Sequence, residues 1–222
     1  MVEYLIDKRP AYSVLKVKLN PGESLTLESG AYLLHKGEVD VSTGAGGILS
    51  GIARSILGGE SVFMNTFRAR SPSEIWAAPG VPGDIVAVDM RGETLYVQGS
   101  SYLGHIGDMS VSVGYRGLKG LLAERQLFWL KISGRGTLFI NSFGAIEEIT
   151  LGIGERMTLD NGHFVAMDAS LKWNARKLGG IKTFIAGGEG IVFDIEGPGR
   201  LWVQSRVLPW FASLLLSYGR GR

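Results

Sequence analysis

The feature that most constrains this chain is a repeat. Trp76, Phe139 and Trp202 stand 63 and 63 residues apart, and Phe67, Leu130 and Phe193 keep the same interval. Between them lie three turn-forming strings, Arg70-Ser71-Pro72-Ser73, Ser133-Gly134-Arg135-Gly136 and Glu196-Gly197-Pro198-Gly199. Proline presets φ in such strings and glycine admits positive φ. Apolar residues alternate on both sides, as in Leu127 and Trp129, Leu138 and Ile140, Ile191 and Phe193, Leu201 and Val203. A period of two marks a half-buried strand. The spacing predicts three β-hairpins in one register.

Two further elements recur. Asn20-Pro21-Gly22-Glu23 leads into Leu25 and Leu27, Val81-Pro82-Gly83-Asp84 into Ile85 and Ala87, and Ile153-Gly154-Glu155 into Met157 and Leu159. Tyr32 and Phe164 follow Gly22 and Gly154 by ten residues, whereas Tyr102 follows Gly83 by nineteen. The excess is assigned to an inserted hairpin around Arg91-Gly92-Glu93. The third element is a connector rich in glycine, aliphatic and basic residues: Gly44 to Gly59, Gly114 to Gln126, and Ala175 to Gly188. Ile48, Ile52 and Ile56 at i, i+4 and i+8, with Leu49, Ala53 and Leu57 beside them, predict a short helix. Leu118, Leu121, Leu122 and Arg125 predict a shorter one.

A unit of about 65 residues buries little core alone. The expectation is therefore an all-β body spanning 1–206, built from repeats at about 1–79, 80–142 and 143–206 with pseudo-threefold symmetry. Residues 207–222 form an apolar and basic tail. Glycine contributes 33 of 222 residues, which fits many tight turns between short strands.

Composition narrows function mainly by exclusion. A net charge of +2 lacks the strongly basic stripe of a nucleic-acid binder. Without cysteine the chain has no disulfide, thiolate metal site or cysteine nucleophile. Scarce Asn and Gln together with no Cys is a thermophile-like composition. The start, Met1 to Asp7, has no basic segment followed by a long apolar one, so no secretory signal is expected. No apolar run reaches the roughly 20 residues that span a bilayer.

No catalytic or metal signature stands out. His35 and His105 share a register, after Tyr32-Leu33-Leu34 and Tyr102-Leu103-Gly104, but Met167 takes that place in the third copy. His163 lies elsewhere, so three histidines do not converge as a metal would require. No Gly-x-Ser-x-Gly elbow, His-Glu-x-x-His pair or phosphate loop occurs. Glu147 and Glu148 are adjacent in a predicted strand and so point to opposite faces. One is expected at the surface and one in an ion pair. Gly44-Ala45-Gly46-Gly47 reads as a connector more readily than as a phosphate cradle. No cofactor and no metal is assigned.

Several strings carry a family likeness in order along the chain. They are Asn20-Pro21-Gly22-Glu23-Ser24, Gly58-Gly59-Glu60-Ser61-Val62-Phe63, Trp76-Ala77-Ala78-Pro79 with Pro82-Gly83-Asp84-Ile85, Phe143-Gly144-Ala145-Ile146-Glu147-Glu148, and Glu196-Gly197-Pro198-Gly199-Arg200-Leu201-Trp202-Val203-Gln204. Together, from about Tyr4 to Val207, they resemble the "altered inheritance of mitochondria" family, whose fold is similar to that of the tryptophan RNA-binding attenuator protein. The resemblance implies a β-sandwich or double-stranded β-helix type of fold repeated within the chain, and trimeric assembly. Mitochondrial members are linked to inner-membrane organisation and respiratory assembly, and no established catalytic residues transfer. With no Arg-rich presequence, the chain looks like a prokaryotic, cytoplasmic member, peripheral to the membrane if its tail docks there.

The remaining functional signal is a surface. Arg54, Arg116, Lys119, Arg125, Arg176, Lys177 and Lys182 accompany apolar residues in the connectors. The tail adds Trp210, Phe211, Leu214, Leu215, Leu216 and Tyr218 and ends Gly219-Arg220-Gly221-Arg222. Apolar segments with aromatic and basic residues are what membrane-interface helices use. The candidate surface is Ile48, Ile52, Ile56, Arg54, Leu118, Lys119, Leu122, Lys177, Lys182, Trp210 and Phe211. The expected function is a non-enzymatic, homo-oligomeric scaffold or binding protein docking a membrane surface or a partner protein. The alternatives are a small-molecule sensor or enzyme with a pocket between β-lobes, and RNA binding.

Overall fold

Alternating sequence becomes alternating burial wherever the strands form. The computed structural model describes residues 2–44, 64–116, 128–178 and 190–219. The first third contributes β1 (Glu3–Asp7), β2 (Val14–Leu19), β3 (Ser24–Glu28), β4 (Tyr32–Lys36), β5 (Val39–Gly44), β6 (Met64–Ala69) and β7 (Ser73–Ala77). In β2, Leu15, Val17 and Leu19 are buried while the lysines between them reach outward. The middle third has three long strands, β8 (Ile85–Gln98), β9 (Tyr102–Arg116) and β10 (Phe128–Asn141). The last third has β11 (Ile146–Leu151), β12 (Arg156–Asp160), β13 (Phe164–Asp168), β14 (Lys172–Lys177), β15 (Ile191–Glu196) and β16 (Gly199–Gln204). Helix α1 (Leu208–Gly219) closes the described chain.

One antiparallel pairing scheme recurs. β2 and β4 flank β7, while β3 and β5 flank β6. β11 and β13 flank β16, while β12 and β14 flank β15. In the middle third β8 and β9 flank β10 along its length, each long strand doing the work of two short ones. Two ladders join the thirds: β3 pairs with β9, and β8 pairs with β13. The result is a nine-stranded sheet, β11-β16-β13-β8-β10-β9-β3-β6-β5, with a four-stranded sheet β1-β2-β7-β4 and a three-stranded sheet β12-β15-β14. The fold is all-β, as the sequence predicts.

The predicted hairpins are corners instead. β6 and β7 flank Arg70-Ser71-Pro72 yet belong to different sheets, as do β15 and β16. In the middle third β10 runs straight through the equivalent place with only a register shift between Ser133 and Arg135. Trp76, Phe139 and Trp202 do occupy matching places, opposite Lys16, Ala87 and Glu148 on one side and Leu34, Gly104 and Ala166 on the other. The second series is displaced. Leu130 and Phe193 lie opposite Val97 and Leu159, but Asn65 holds that place in the first third and Phe67 lies opposite Leu25. The first corner is two residues longer, since Met64 to Trp76 equals twelve positions where Trp129 to Phe139 equals ten.

A second set of corners corrects the sequence reading too. Arg91-Gly92-Glu93 is no inserted hairpin but the bend within β8 that matches Gly22-Glu23 and Gly154-Glu155. Each glycine has positive φ, +90°, +118° and +76°, a region costly to residues with a Cβ. Each following glutamate accepts a backbone N–H: Asn20 to Glu23 at 2.7 Å, Arg91 to Glu93 at 2.7 Å and Gly152 to Glu155 at 2.6 Å. Pro82-Gly83-Asp84 belongs instead to the link between thirds, where Gly83 bridges Gly144.

Among the described residues, three apolar clusters fill the interior. One joins β2, β3, β6 and β7 through Leu15, Leu25, Phe67 and Ile75 and takes in Ile85, Leu103 and Phe139 of the middle third. The next centres on β8, β9 and β10 and takes in Ile146, Val165 and Trp202 of the last third. The third gathers Leu159, Phe164, Phe193 and Leu201 around Trp129.

Candidate docking pole and the cavity beside the C-terminal helix

Register fixes where the connectors are rooted. Glu28 lies opposite Met64, which lies opposite Gly44. Gln98 lies opposite Trp129, itself opposite Tyr115, and Asp160 lies opposite Val192, itself opposite Arg176. The strands that flank the three connectors therefore end level with Glu28, Gln98 and Asp160. Ile48, Ile52, Ile56, Arg54, Leu118, Lys119, Leu122 and Lys182, and both predicted connector helices, lie outside the described residues. Lys177 is the exposed last residue of β14, opposite Ile191.

A cavity of about 860 Å³ opens beside these same turns. It is lined by residues 28–31, residues 98–101 and Gly162, in the turns that follow β3, β8 and β12. The links that follow β7, β10 and β16 complete it through Val81, Phe143 and Val207. The wall mixes apolar and polar surface, and two of its polar side chains come from matching positions. Burial pushes the Glu28 carboxyl up to about 7. Gln98 presents a buried side-chain oxygen with no hydrogen-bond partner.

Behind Glu28 stands a buried tyrosine–histidine pair. Tyr102 Oη lies 2.7 Å from His105 Nδ1. Burial pushes the His105 imidazole down to about 4. Burial, and then the Glu28 charge, raise the Tyr102 hydroxyl above its ordinary value, so a neutral phenol meets a neutral imidazole. Tyr32 and His35 repeat the contact at 2.8 Å, but on an exposed strand.

The tail helix starts at the cavity rim. Leu208 and Pro209 line the cavity, and Val207 before them is buried. Trp210 packs edge-on against His163 at 5.8 Å, and Phe211 packs on Phe143 at 5.5 Å. His163 Nδ1 donates to the Gln204 carbonyl at 2.6 Å. The Gln204 side chain donates to Gly162 O at 2.8 Å and accepts from Phe143 N at 3.0 Å, so it clamps the last turn to the preceding link. Beyond this first turn the helix meets little. None of its residues is buried, and Leu214, Leu215, Leu216 and Tyr218 are exposed. Its two serines satisfy their hydroxyls internally, Ser213 on Pro209 O at 2.9 Å and Ser217 on Leu214 O at 2.6 Å.

Other sequence candidates fall apart chemically. Glu147 and Glu148 are both exposed, and Glu148 accepts from Trp202 Nε1 at 3.0 Å rather than sitting in the expected close ion pair. Among the described residues, no group of three His, Cys, Asp or Glu side chains is placed to hold a metal ion. No described helix is long and apolar enough to cross a membrane. Sequence reasoning missed Glu28, Gln98 and Gln204. The signal available was the shared place of Glu28, Gln98 and Asp160 three positions before the Ala31, Ser101 and His163 that precede the opening aromatics of β4, β9 and β13.

Comparison with known proteins agrees with this architecture. The family model described as mitochondrial biogenesis AIM24 matches residues 4–206. An uncharacterized protein of Streptococcus pyogenes serotype M6 is 30% identical over 226 residues, covering 98% of this chain and 91% of that protein. An X-ray crystal structure of a Streptococcus pyogenes protein superposes with a TM-score of 0.82 at 30% identity, covering 98% of this chain and 100% of that one.

Proposed function

The chain belongs to the mitochondrial biogenesis AIM24 family, and within it we propose a non-enzymatic docking scaffold that seats on a membrane surface through α1. In this reading residues 1–206 act as one body of three repeats and residues 207–222 as its docking tail. The observation that carries the reading is α1 itself. Across its 12 residues it bears no charge, has no fully buried residue and, beyond the first turn, exposes Leu214, Leu215, Leu216 and Tyr218. A helix that is apolar all round belongs in an apolar medium, not in water. Serine hydroxyls turned back onto the helix carbonyls suit such a medium as well. At 1.5 Å per residue the helix is about 18 Å long, against roughly 30 Å of hydrocarbon, so it enters one leaflet without spanning. Arg220 and Arg222 follow it, and arginine favours an anionic surface.

Flotation with anionic and with neutral vesicles tests this. The full chain is expected to float and a chain ending at Arg206 to stay at the bottom, with its β-sheet circular dichroism retained and only the helical contribution of α1 lost. Equal sedimentation of both forms removes the membrane reading.

The cavity favours a second reading, small-molecule binding. A volume of about 860 Å³ suits a drug-sized ligand, and apolar walls with a few polar groups are the usual composition of such sites. A thermal-shift screen of small carboxylates, amides and sugars, repeated on Gln98→Leu, checks it. Stabilisation that vanishes in the variant supports the site, and no stabilisation of the native chain rejects it.

A further inference from the structure

Polar side chains recur at matching points of the last two thirds, and only one set finds partners. In the last third the points are Asp160, His163 and Gln204. Asp160 Oδ1 accepts from Gly162 N at 2.8 Å, and His163 Nδ1 meets the Gln204 carbonyl at 2.6 Å. The Gln204 amide bonds Gly162 O and Phe143 N. Register puts Gln98, Ser101 and Asn141 at these points in the middle third. Gln98 and Asp160 lie opposite Trp129 and Val192, Ser101 and His163 precede Tyr102 and Phe164, and Asn141 follows Phe139 as Gln204 follows Trp202. All three middle residues line the cavity. Ser101 is 2% exposed and Asn141 4%. Neither side chain has a hydrogen-bond partner among the described residues, and the Gln98 side-chain oxygen is buried without one. A polar group buried unpaired costs free energy that a bound ligand returns.

The first third adds charge. Glu28 occupies the point of Gln98 and Asp160 and lines the same cavity. Its carboxyl has no hydrogen bond or ion pair among the described residues, and burial raises it to about 7. β6 puts Met64 opposite it, and the titratable groups behind it, Tyr102 and His105 of β9, are both neutral. Among the described residues that line the cavity, none is lysine, arginine or histidine. An anionic ligand would meet a carboxylate and no counter-charge. A cation would meet that carboxylate and several free oxygen acceptors. Phe128 and Phe143 add apolar surface, and aromatic faces also attract ammonium.

We propose that this cavity binds a small organic amine as its ammonium ion, with Glu28 as counter-ion, Gln98, Ser101 and Asn141 as acceptors, and Phe128 and Phe143 against its carbon body. The inference rests on the small-molecule reading and names the ligand class. A primary ammonium carries three donors and no acceptor, the complement of an unpaired carboxylate and hydroxyl. The two amides present oxygen to it by a half-turn about their last side-chain bond.

Calorimetric titration of the full chain with butylamine and phenethylamine, and with the alcohols and carboxylates of the same carbon bodies, tests this. The amines are expected to bind at pH 8, and the alcohols and carboxylates to give no heat of binding. The ammonium needs the ionised carboxyl, so amine affinity is expected to fall about tenfold between pH 8 and pH 6 as Glu28 takes up its proton. Glu28→Gln keeps the shape and removes the charge. It is expected to weaken binding at pH 8 by about tenfold or more and to abolish the pH dependence, with circular dichroism unchanged. Asn141→Leu is expected to weaken binding and keep the pH dependence. Amine binding that Glu28→Gln leaves unchanged overturns the proposal. So does binding of the alcohols or carboxylates in place of the amines, although the small-molecule reading then stands. Binding by neither amine also overturns it, and the screen of carboxylates, amides and sugars then decides whether the small-molecule reading falls with it.

Discussion

Burial gives Glu28 and His105 opposite dependences on pH. The His105 imidazole is lowered from 6.5 to about 4, so the unfolded chain binds its proton more readily. The stability it secures is complete above 6.5 and drains away as pH falls toward 4, by up to about 3 kcal/mol. The Glu28 carboxyl is raised from 4.5 to about 7, so the folded chain is the stronger proton binder. Its contribution is complete below 4.5 and is lost as pH rises through 7. Glu28→Gln is expected to flatten the alkaline side of a urea stability profile and to gain on the order of 1 kcal/mol at pH 8, after discounting for solvent at a partly exposed group. In proton NMR, the His105 ring signal of the native chain should hold its neutral position down to about pH 5.

At the scale of elements, the corners decide the architecture. Gly136 has φ of +143°, and a Cβ there would lie 2.0 Å from the Ile106 carbonyl oxygen. The obstacle is backbone of the neighbouring strand, which cannot swing aside. Gly136→Ala should therefore cost about 3 kcal/mol or more in chemical denaturation, whereas Gly219→Ala, with nothing within 4 Å, should cost nothing measurable. The strand periodicity was legible because Leu15, Val17 and Leu19 alternate with lysines, and burial follows that pattern wherever a sheet has one wet face. Which strands pair was not legible. Arg70-Ser71-Pro72-Ser73 breaks a strand equally well for a hairpin or a corner, and only contacts distant in sequence choose between them. The Gly-Glu pairs at 22–23, 92–93 and 154–155 are the equivalent turns, but Pro82-Gly83 carries the stronger turn signal in sequence. At the candidate site, Trp210 and Phe211 were readable from the tail's composition. The cavity was not, since its wall is assembled from turns distant from one another in sequence, at Glu28, Gln98 and Gly162.

For the whole molecule, the question is what holds the three thirds of the chain together. The links answer part of it. Pro82-Gly83-Asp84 runs beside Ser142-Phe143-Gly144, with Asp84 N donating to Gly144 O at 3.0 Å and Gly144 N to Pro82 O at 3.1 Å. Both junctions between thirds are thus one structure. Asp84 holds it to the start of the chain: Arg9 donates twice at 2.8 Å, Ser13 Oγ at 2.9 Å and Ile85 N at 2.8 Å. Burial alone would raise this carboxyl, but those donors, Arg9 foremost, keep it below its ordinary value. The sign is that of a stabilising carboxylate: its contribution is present above 3.8 and lost as pH falls below it. Asp84→Ala strips a buried acceptor from four donors and leaves the first and second thirds without their clamp. We expect a loss of about 3 kcal/mol at pH 7 that shrinks as pH falls below 3.8 and the native carboxylate in its turn takes up a proton. Because the nine-stranded sheet still runs through all three thirds, the variant should unfold in a single transition, with tryptophan fluorescence and far-ultraviolet circular dichroism coincident. Two separated transitions would mean that the links, and not the shared sheet, couple the units.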